Sequence, residues 1–254
     1  MFDQMSHPPV HIDVKDRMRL VMAVLAISDW PAQEQAQQTH AVHPHAKETA
    51  RFLQPFTAHP AVLYANKALA HHVPLEDMFK ATLRSSWPDL RPFERPPGPL
   101  LDGRWLRLLA EFRRDTAVDE RFWPTHRSLW DKAADALSTI FAGTPLPGWL
   151  ASLTGRPLAQ TIVIMPNLVY PARQTLLADT LQNLYVIVPP PPAVGESPPW
   201  PYQEDPAAVH VAVCQALTDH LLADILAELD ESQAGILPHA FSTLYLETAV
   251  DEAE

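Results

Sequence analysis

The chain predicts an α+β domain, predominantly helical, with a small sheet placed late. Three observations carry this. Apolar residues recur at helical spacing through residues 1–150, in segments closed by prolines. Only two runs, residues 160–165 and 184–188, have the unbroken aliphatic character of buried strands. There are 27 prolines against 7 glycines, so short helices joined by stiff connectors are expected. No shift in composition marks a linker, and 254 residues suit one large domain over 1–254. Its helical part is 1–150, and its strand pair and closing helices fall in 151–254.

The elements follow in order. Residues 10–14 read as a short strand. Residues 15–28 read as a helix with Leu20, Val24 and Ile27 on one face. Pro31 ends that region, and the polar residues 33–45 read as a loop or a frayed helix. Helices follow at 46–53, at 60–71 with Pro60 in the first turn, and from Pro74 to about 85. Residues 87–99 hold Pro88, Pro92, Pro96, Pro97 and Pro99, a stiff connector and the one candidate seam.

Residues 100–114 form a leucine-rich helix. Asp115 and Asp119 bracket a helix stop and restart, since acids are favoured at a new N-terminus. Residues 119–141 give one or two helices around Pro124, and 143–148 form a turn cluster. Between the two strands an irregular stretch includes a bent edge strand near 175–179. Residues 189–201 contain seven prolines and read as an exposed, semi-rigid loop. A long helix over 206–229 follows, then a last helix over 239–250. Trp105, Phe112, Phe122, Trp123 and Trp130 form an aromatic stripe that belongs to the core.

Charge excludes some partners. Thirty acidic against 19 basic residues leave a net charge of −11. A negative surface repels phosphate backbones and anionic membranes, so neither nucleic acid nor a membrane is an expected partner. The single Cys214 cannot form an internal disulfide, which suits a reducing cytoplasm. The apolar run 20–27 is too short to span a bilayer and reads as a core helix, not a signal peptide. Glycine-rich phosphate loops, CxxC and GxSxG are missing from the sequence.

Four stretches carry a resemblance. They are RMRLVMAVLAISDWP at 17–31, HPAV at 59–62, EFRRDTAVDERFWPTHRSLW at 111–130, and the strand pair feeding the helix at 207–229. In that order they resemble an uncharacterised bacterial family of zincin-like proteins whose better-preserved members carry H-E-x-x-H. The resemblance implies a zincin-like domain with a metal-binding helix beneath a small sheet. It aligns the motif to Cys214, Gln215, Ala216, Leu217 and Thr218, so this chain resembles a degenerate member.

That motif works because residues i and i+4 share a helical face. Two imidazoles reach one zinc ion while the Glu takes a proton from bound water. Here Cys214 is able to ligate as a thiolate, but the Thr218 hydroxyl stays protonated and the Gln215 amide accepts no proton. Glu247 has the placement of a third ligand, and with Asp251 it matches an E-x-x-x-D spacing. Metal lowers the pKa of bound water from about 16 to about 7, a shift on the order of 12 kcal/mol that no side chain replaces. The peptidase mechanism is therefore expected to be absent, with no catalytic residue and no cofactor.

Other clusters have plainer readings. His210 and Cys214 are also i, i+4, and with Glu247 they define a shifted zinc site. Against it, Leu217 and Leu221 continue the same apolar stripe. Cys214 as a nucleophile with His210 or His220 lacks the electropositive setting a thiolate needs. His40, His43 and His45 offer three imidazoles able to take up a transition metal adventitiously, but Pro44 blocks regular helical presentation and the plainer reading is a solvated polar loop.

Two functions stay open from sequence, beside a third reading as a helical scaffold or oligomer subunit without a cleft function. One is a catalytically inactive zincin-like protein that binds an unidentified protein or peptide, with Trp200 and Tyr202 on the proline-rich loop as rigid apolar contacts. The other is a hydrolase with a non-standard metal site at His210, Cys214 and Glu247.

Overall fold

A computed structural model describes residues 10–37, 41–100, 102–155, 157–169, 174–192, 198–223 and 240–247. The chain opens with β1 (His11–Ile12) and α1 (Asp16–Ala26). From Met18 to Ala26 every residue of α1 is buried and all but Arg19 are apolar, the pattern of a helix at the centre of a core. Around it run α2 (Trp30–Gln37), α3 (Pro44–Leu53), α4 (Pro60–Ala70) and α5 (Leu75–Leu83). Of the described residues in 33–45, expected as a loop or a frayed helix, 33–37 belong to α2, 41–43 are irregular and 44–45 open α3. The prolines explain it. Pro31 and Pro44 occupy first-turn positions, where a missing N–H leaves no bond unmade and the fixed φ favours the helix.

The next elements are α6 (Arg104–Thr116), α7 (Val118–Arg121), α8 (Arg127–Ile140) and α9 (Leu146–Thr154). The stop and restart fall at Ala117, whose φ of +46° ends α6 and admits α7. Asp119 then accepts from Arg113 at 2.6 Å. The turn expected at 143–148 is shorter, because Pro147 and Gly148 already lie in the first turn of α9.

The sheet comprises β1, β2 (Thr161–Pro166), β3 (Leu176–Asp179) and β4 (Asn183–Val188), in the order β1-β2-β4-β3. β1, β2 and β4 run parallel, and β3 is the antiparallel edge. Ile162 to Pro166 and Leu184 to Val188 are buried without alternation, as expected for strands covered on both faces. α8 packs on β1 and β2, α5 on β3, and α10 (Pro206–Leu221) on β3 and β4. Asp205 caps α10, accepting from the Ala208 N–H at 2.9 Å. Residues 240–247 are helical. The expected continuation of α10 to 229 reaches beyond the described residues. The molecule is mainly helical α+β, as the sequence predicts, and no helix among the described residues is long and apolar enough to cross a membrane.

Ion pairs lock the sheet edge to the helices. Asp179 on β3 meets Lys80 and Arg84 of α5, each at 3.0 Å. Burial alone would raise the Asp179 carboxyl, but the two cations more than offset it and hold it below the usual range.

Candidate functional site

The helix α10 presents two different faces. Cys214 and Thr218, the positions aligned to the metal ligands, are wholly buried with Val213 and Leu217. Their Sγ and Oγ1 atoms lie 4.0 Å apart. Burial pushes the Cys214 thiol up to about 12, so it stays protonated near neutrality. Gln215, aligned to the catalytic Glu, faces the other way. With Ala212, Ala216 and Asp219 it lines a cleft of about 330 Å³ against Pro189–Pro192. Burial raises the Asp219 carboxyl in this cleft. Base position and ligand positions therefore look onto different environments, and the cleft holds no pair of metal-ligating side chains from α10.

The shifted site is a correction. His210, Cys214 and Glu247 do not close on one another. His210 Nε2 donates to the Ile140 carbonyl at 3.1 Å, and the Tyr245 hydroxyl stands 3.3 Å from Nδ1. Both ring nitrogens are thus engaged, and burial lowers the pKa despite the Ile140 bond. Glu247 is exposed on the helical stretch 240–247, and Asp251 lies outside the described residues. Burial lowers the His220 pKa, with Asp179 and Lys80 acting on the ring in opposite directions.

The proline-rich segment divides its two aromatics. Trp200 is 39% exposed, whereas Tyr202 is 2% exposed. Tyr202 donates to the Val188 carbonyl at 2.7 Å and accepts from the Asn167 N–H at 3.2 Å. It is a pin that holds the segment to the ends of β2 and β4, which corrects its expected role as a surface contact. The Trp200 N–H donates to the Pro191 carbonyl at 3.0 Å, so the rim is fixed twice. Between that rim and α8 lies a groove of about 400 Å³, with Trp200, Pro199, Pro190 and Leu129 among its apolar walls and His43, Lys132 and Asp135 at its edge.

The histidine-rich segment is the larger surprise. His43 caps α3, accepting from the His45 N–H at 3.2 Å, and Pro44 starts the helix. His45 is buried, 2% exposed, where a solvated loop was expected. His40 lies outside the described residues. The Trp130 indole donates to His45 Nε2 at 3.1 Å. Burial, with His126, His43 and Arg19 nearby, drives the His45 pKa down to about 3. Glu48 Oε2 stands 3.8 Å from His45 Nδ1 and 3.3 Å from His126 Nε2. This is the one group of three His, Cys, Asp or Glu residues among those described whose ligand atoms lie within 4.8 Å of each other. Sequence reasoning missed it because His126 arrives from the turn before α8. The HPH run beside a glutamate three residues on was the available signal.

His59, another helix cap, bridges to Asp115 at 3.2 Å and holds α4 to α6. The aromatic stripe is core as expected, with Trp105 and Phe112 fully buried. No family model, curated protein or solved structure matches this chain.

Proposed function

We propose that this chain is a non-catalytic, zincin-like binding domain whose groove between α8 and Trp200 takes an extended segment of a protein partner carrying an apolar anchor side chain. The observation that carries the reading is the sealing of the motif positions. Cys214 and Thr218 are at 0% exposure, the thiol is kept neutral, and the base position holds an amide. A zinc ion there would have neither access nor a proton acceptor. The arrangement of α10 beneath β3 and β4, following β4 in the chain, is the setting the resemblance implies.

Support for binding comes from the groove. Its rim is held before any ligand arrives, so docking loses little conformational entropy. An indole beside prolines offers rigid apolar area, and a void of about 400 Å³ fits one or two side chains. Peptides selected from a displayed random library on the wild-type protein are expected to bind Trp200→Ala and Leu129→Asp at least tenfold more weakly. Equal binding to both variants would overturn the groove. Zinc-dependent hydrolysis of casein that disappears in Cys214→Ala would overturn the non-catalytic reading.

A further inference from the structure

A second site shares none of its three side chains with the lining of the α10 cleft or of the groove. The geometry points to a binding site for a divalent transition cation of the zinc type, formed by His126 Nε2, the Glu48 carboxylate and His45 Nδ1 at the junction of α3 with the turn preceding α8. Nothing in the proposed binding function requires it.

Proton placement at His126 is the first reason. Its Nδ1 lies 2.9 Å from the Phe122 carbonyl and 3.0 Å from the Thr125 hydroxyl. Thr125 spends its own hydrogen on the same carbonyl, at 2.8 Å. Nδ1 therefore carries the ring proton, and Nε2 of the neutral ring presents a lone pair. A backbone carbonyl on one nitrogen is the common way to orient the other toward a metal. That lone pair faces a carboxylate oxygen at 3.3 Å, a repulsive meeting that only a proton on Nε2 or a metal cation between the two relieves.

Spacing is the second. A charge-assisted N–H···O bond spans about 2.7–2.9 Å. Two ligands at zinc bond lengths of about 2.0–2.1 Å, set at a tetrahedral angle, stand about 3.3–3.4 Å apart. The His126–Glu48 separation of 3.3 Å matches the second figure. His45 Nδ1 at 3.8 Å from the same oxygen needs only a small movement, and the half-exposed Glu48 is able to make it.

The third reason is that His45 Nδ1 is buried and has no hydrogen-bond partner, although it is aimed at Glu48. A buried polar atom left unmade needs an explanation, and an absent ligand is one.

Two features oppose the cation and sharpen the test. Arg19 is close enough to act on His45, although its charge is shared with Asp16 at 3.0 Å and with the Trp123 and Trp130 rings. The Trp130 N–H donates into His45 Nε2, so the neutral ring holds its proton on Nδ1. Ligation must move that proton to Nε2 and release the indole. Metal uptake and the Trp130–His45 bond are thus mutually exclusive.

Untagged full-length protein titrated with zinc chloride in a calorimeter is expected to take one equivalent. Glu48→Gln and His126→Gln, both partly exposed positions, are expected to weaken uptake at least tenfold, and the exposed control His71→Ala to leave it unchanged. Uptake indifferent to Glu48→Gln and His126→Gln, or no uptake, overturns the site. Nitrogen NMR of the histidine rings in the wild-type protein supplies the second measurement. The His45 proton is expected on Nδ1 without zinc and on Nε2 at saturation. A His45 proton that stays on Nδ1 at saturation overturns the three-ligand set. Neither readout depends on peptide binding, so failure here leaves the groove reading standing, and the converse holds.

Discussion

The motif-aligned stretch of α10 and the junction of α3 with α8 invert what their sequences suggest. In α10, two residues at metal-ligand spacing turn out to be packing. At the junction, residues with the look of a solvated loop bring two imidazoles and a carboxylate into contact. The difference teaches that spacing along one helix is a weaker guide to chemistry than burial without a partner. Cys214 is buried in apolar company and is satisfied as a small hydrophobe. His45 is buried with a polar atom unpaired, which core packing alone does not account for.

Writing an H-E-x-x-H motif into α10 is the harshest way to break this comparison. The triple variant Cys214→His, Gln215→Glu, Thr218→His installs the residues of an H-E-x-x-H helix. Two of its imidazoles would enter positions at 0% exposure, adding volume and unpaired nitrogens to a packed core. We expect a loss of more than about 3 kcal/mol, read as a large fall in melting temperature that zinc does not repair. The single variant Gln215→Glu faces the cleft and is expected to cost under about 1 kcal/mol. A triple variant that folds and gains stability with zinc would show that α10 offers the geometry of a metal site.

Acid titration probes the other region. The folded His45 pKa of about 3 lies below its ordinary 6.5. The unfolded chain thus binds one more proton between those values, and stability falls as pH drops from about 6.5 toward 3. One proton sets a slope of about 1.4 kcal/mol per pH unit. Denaturant unfolding with chelator present, compared for wild type and His45→Gln, isolates it. The wild type is expected to lose stability more steeply by that slope. Parallel curves would mean that His45 titrates normally and is not sealed by Trp130.

What the sequence made legible follows from how local each signal is. The central strands were readable because β2 and β4 are covered on both faces, and unbroken apolar runs such as Ile162 to Met165 follow directly. The helix restart at Ala117 was readable from the flanking acids alone. Proline produced the misreadings. The same residue ends a helix when interior and begins one when in the first turn, and Pro31, Pro44 and Pro147 all begin one. The fate of His45 was not legible, since its burial depends on Trp130, 85 residues away. Likewise nothing local separates Trp200 from Tyr202. Only the fold decides which one the strand ends capture.

Those two aromatics supply the smallest and most discriminating test. Tyr202→Phe keeps the ring but removes a hydroxyl that satisfies the Val188 carbonyl and the Asn167 N–H. The Asn167 N–H keeps its own bond to the Val188 carbonyl at 2.8 Å, so the loss of the buried hydroxyl's bonds is expected to cost about 1 kcal/mol. Trp200→Ala removes a larger side chain, yet that side chain is 39% exposed. The rim's own bond, from the Trp200 backbone N–H to the Pro191 carbonyl, survives the change. Its stability cost is therefore expected to stay within about 0.5 kcal/mol, while binding of selected peptides falls tenfold or more. The ordering is the point of the pair. The smaller chemical change damages the fold and the larger one damages recognition. Should Trp200→Ala unfold the protein as readily as Tyr202→Phe, the indole is part of the core, and the groove beside it is a packing seam rather than a place for a partner.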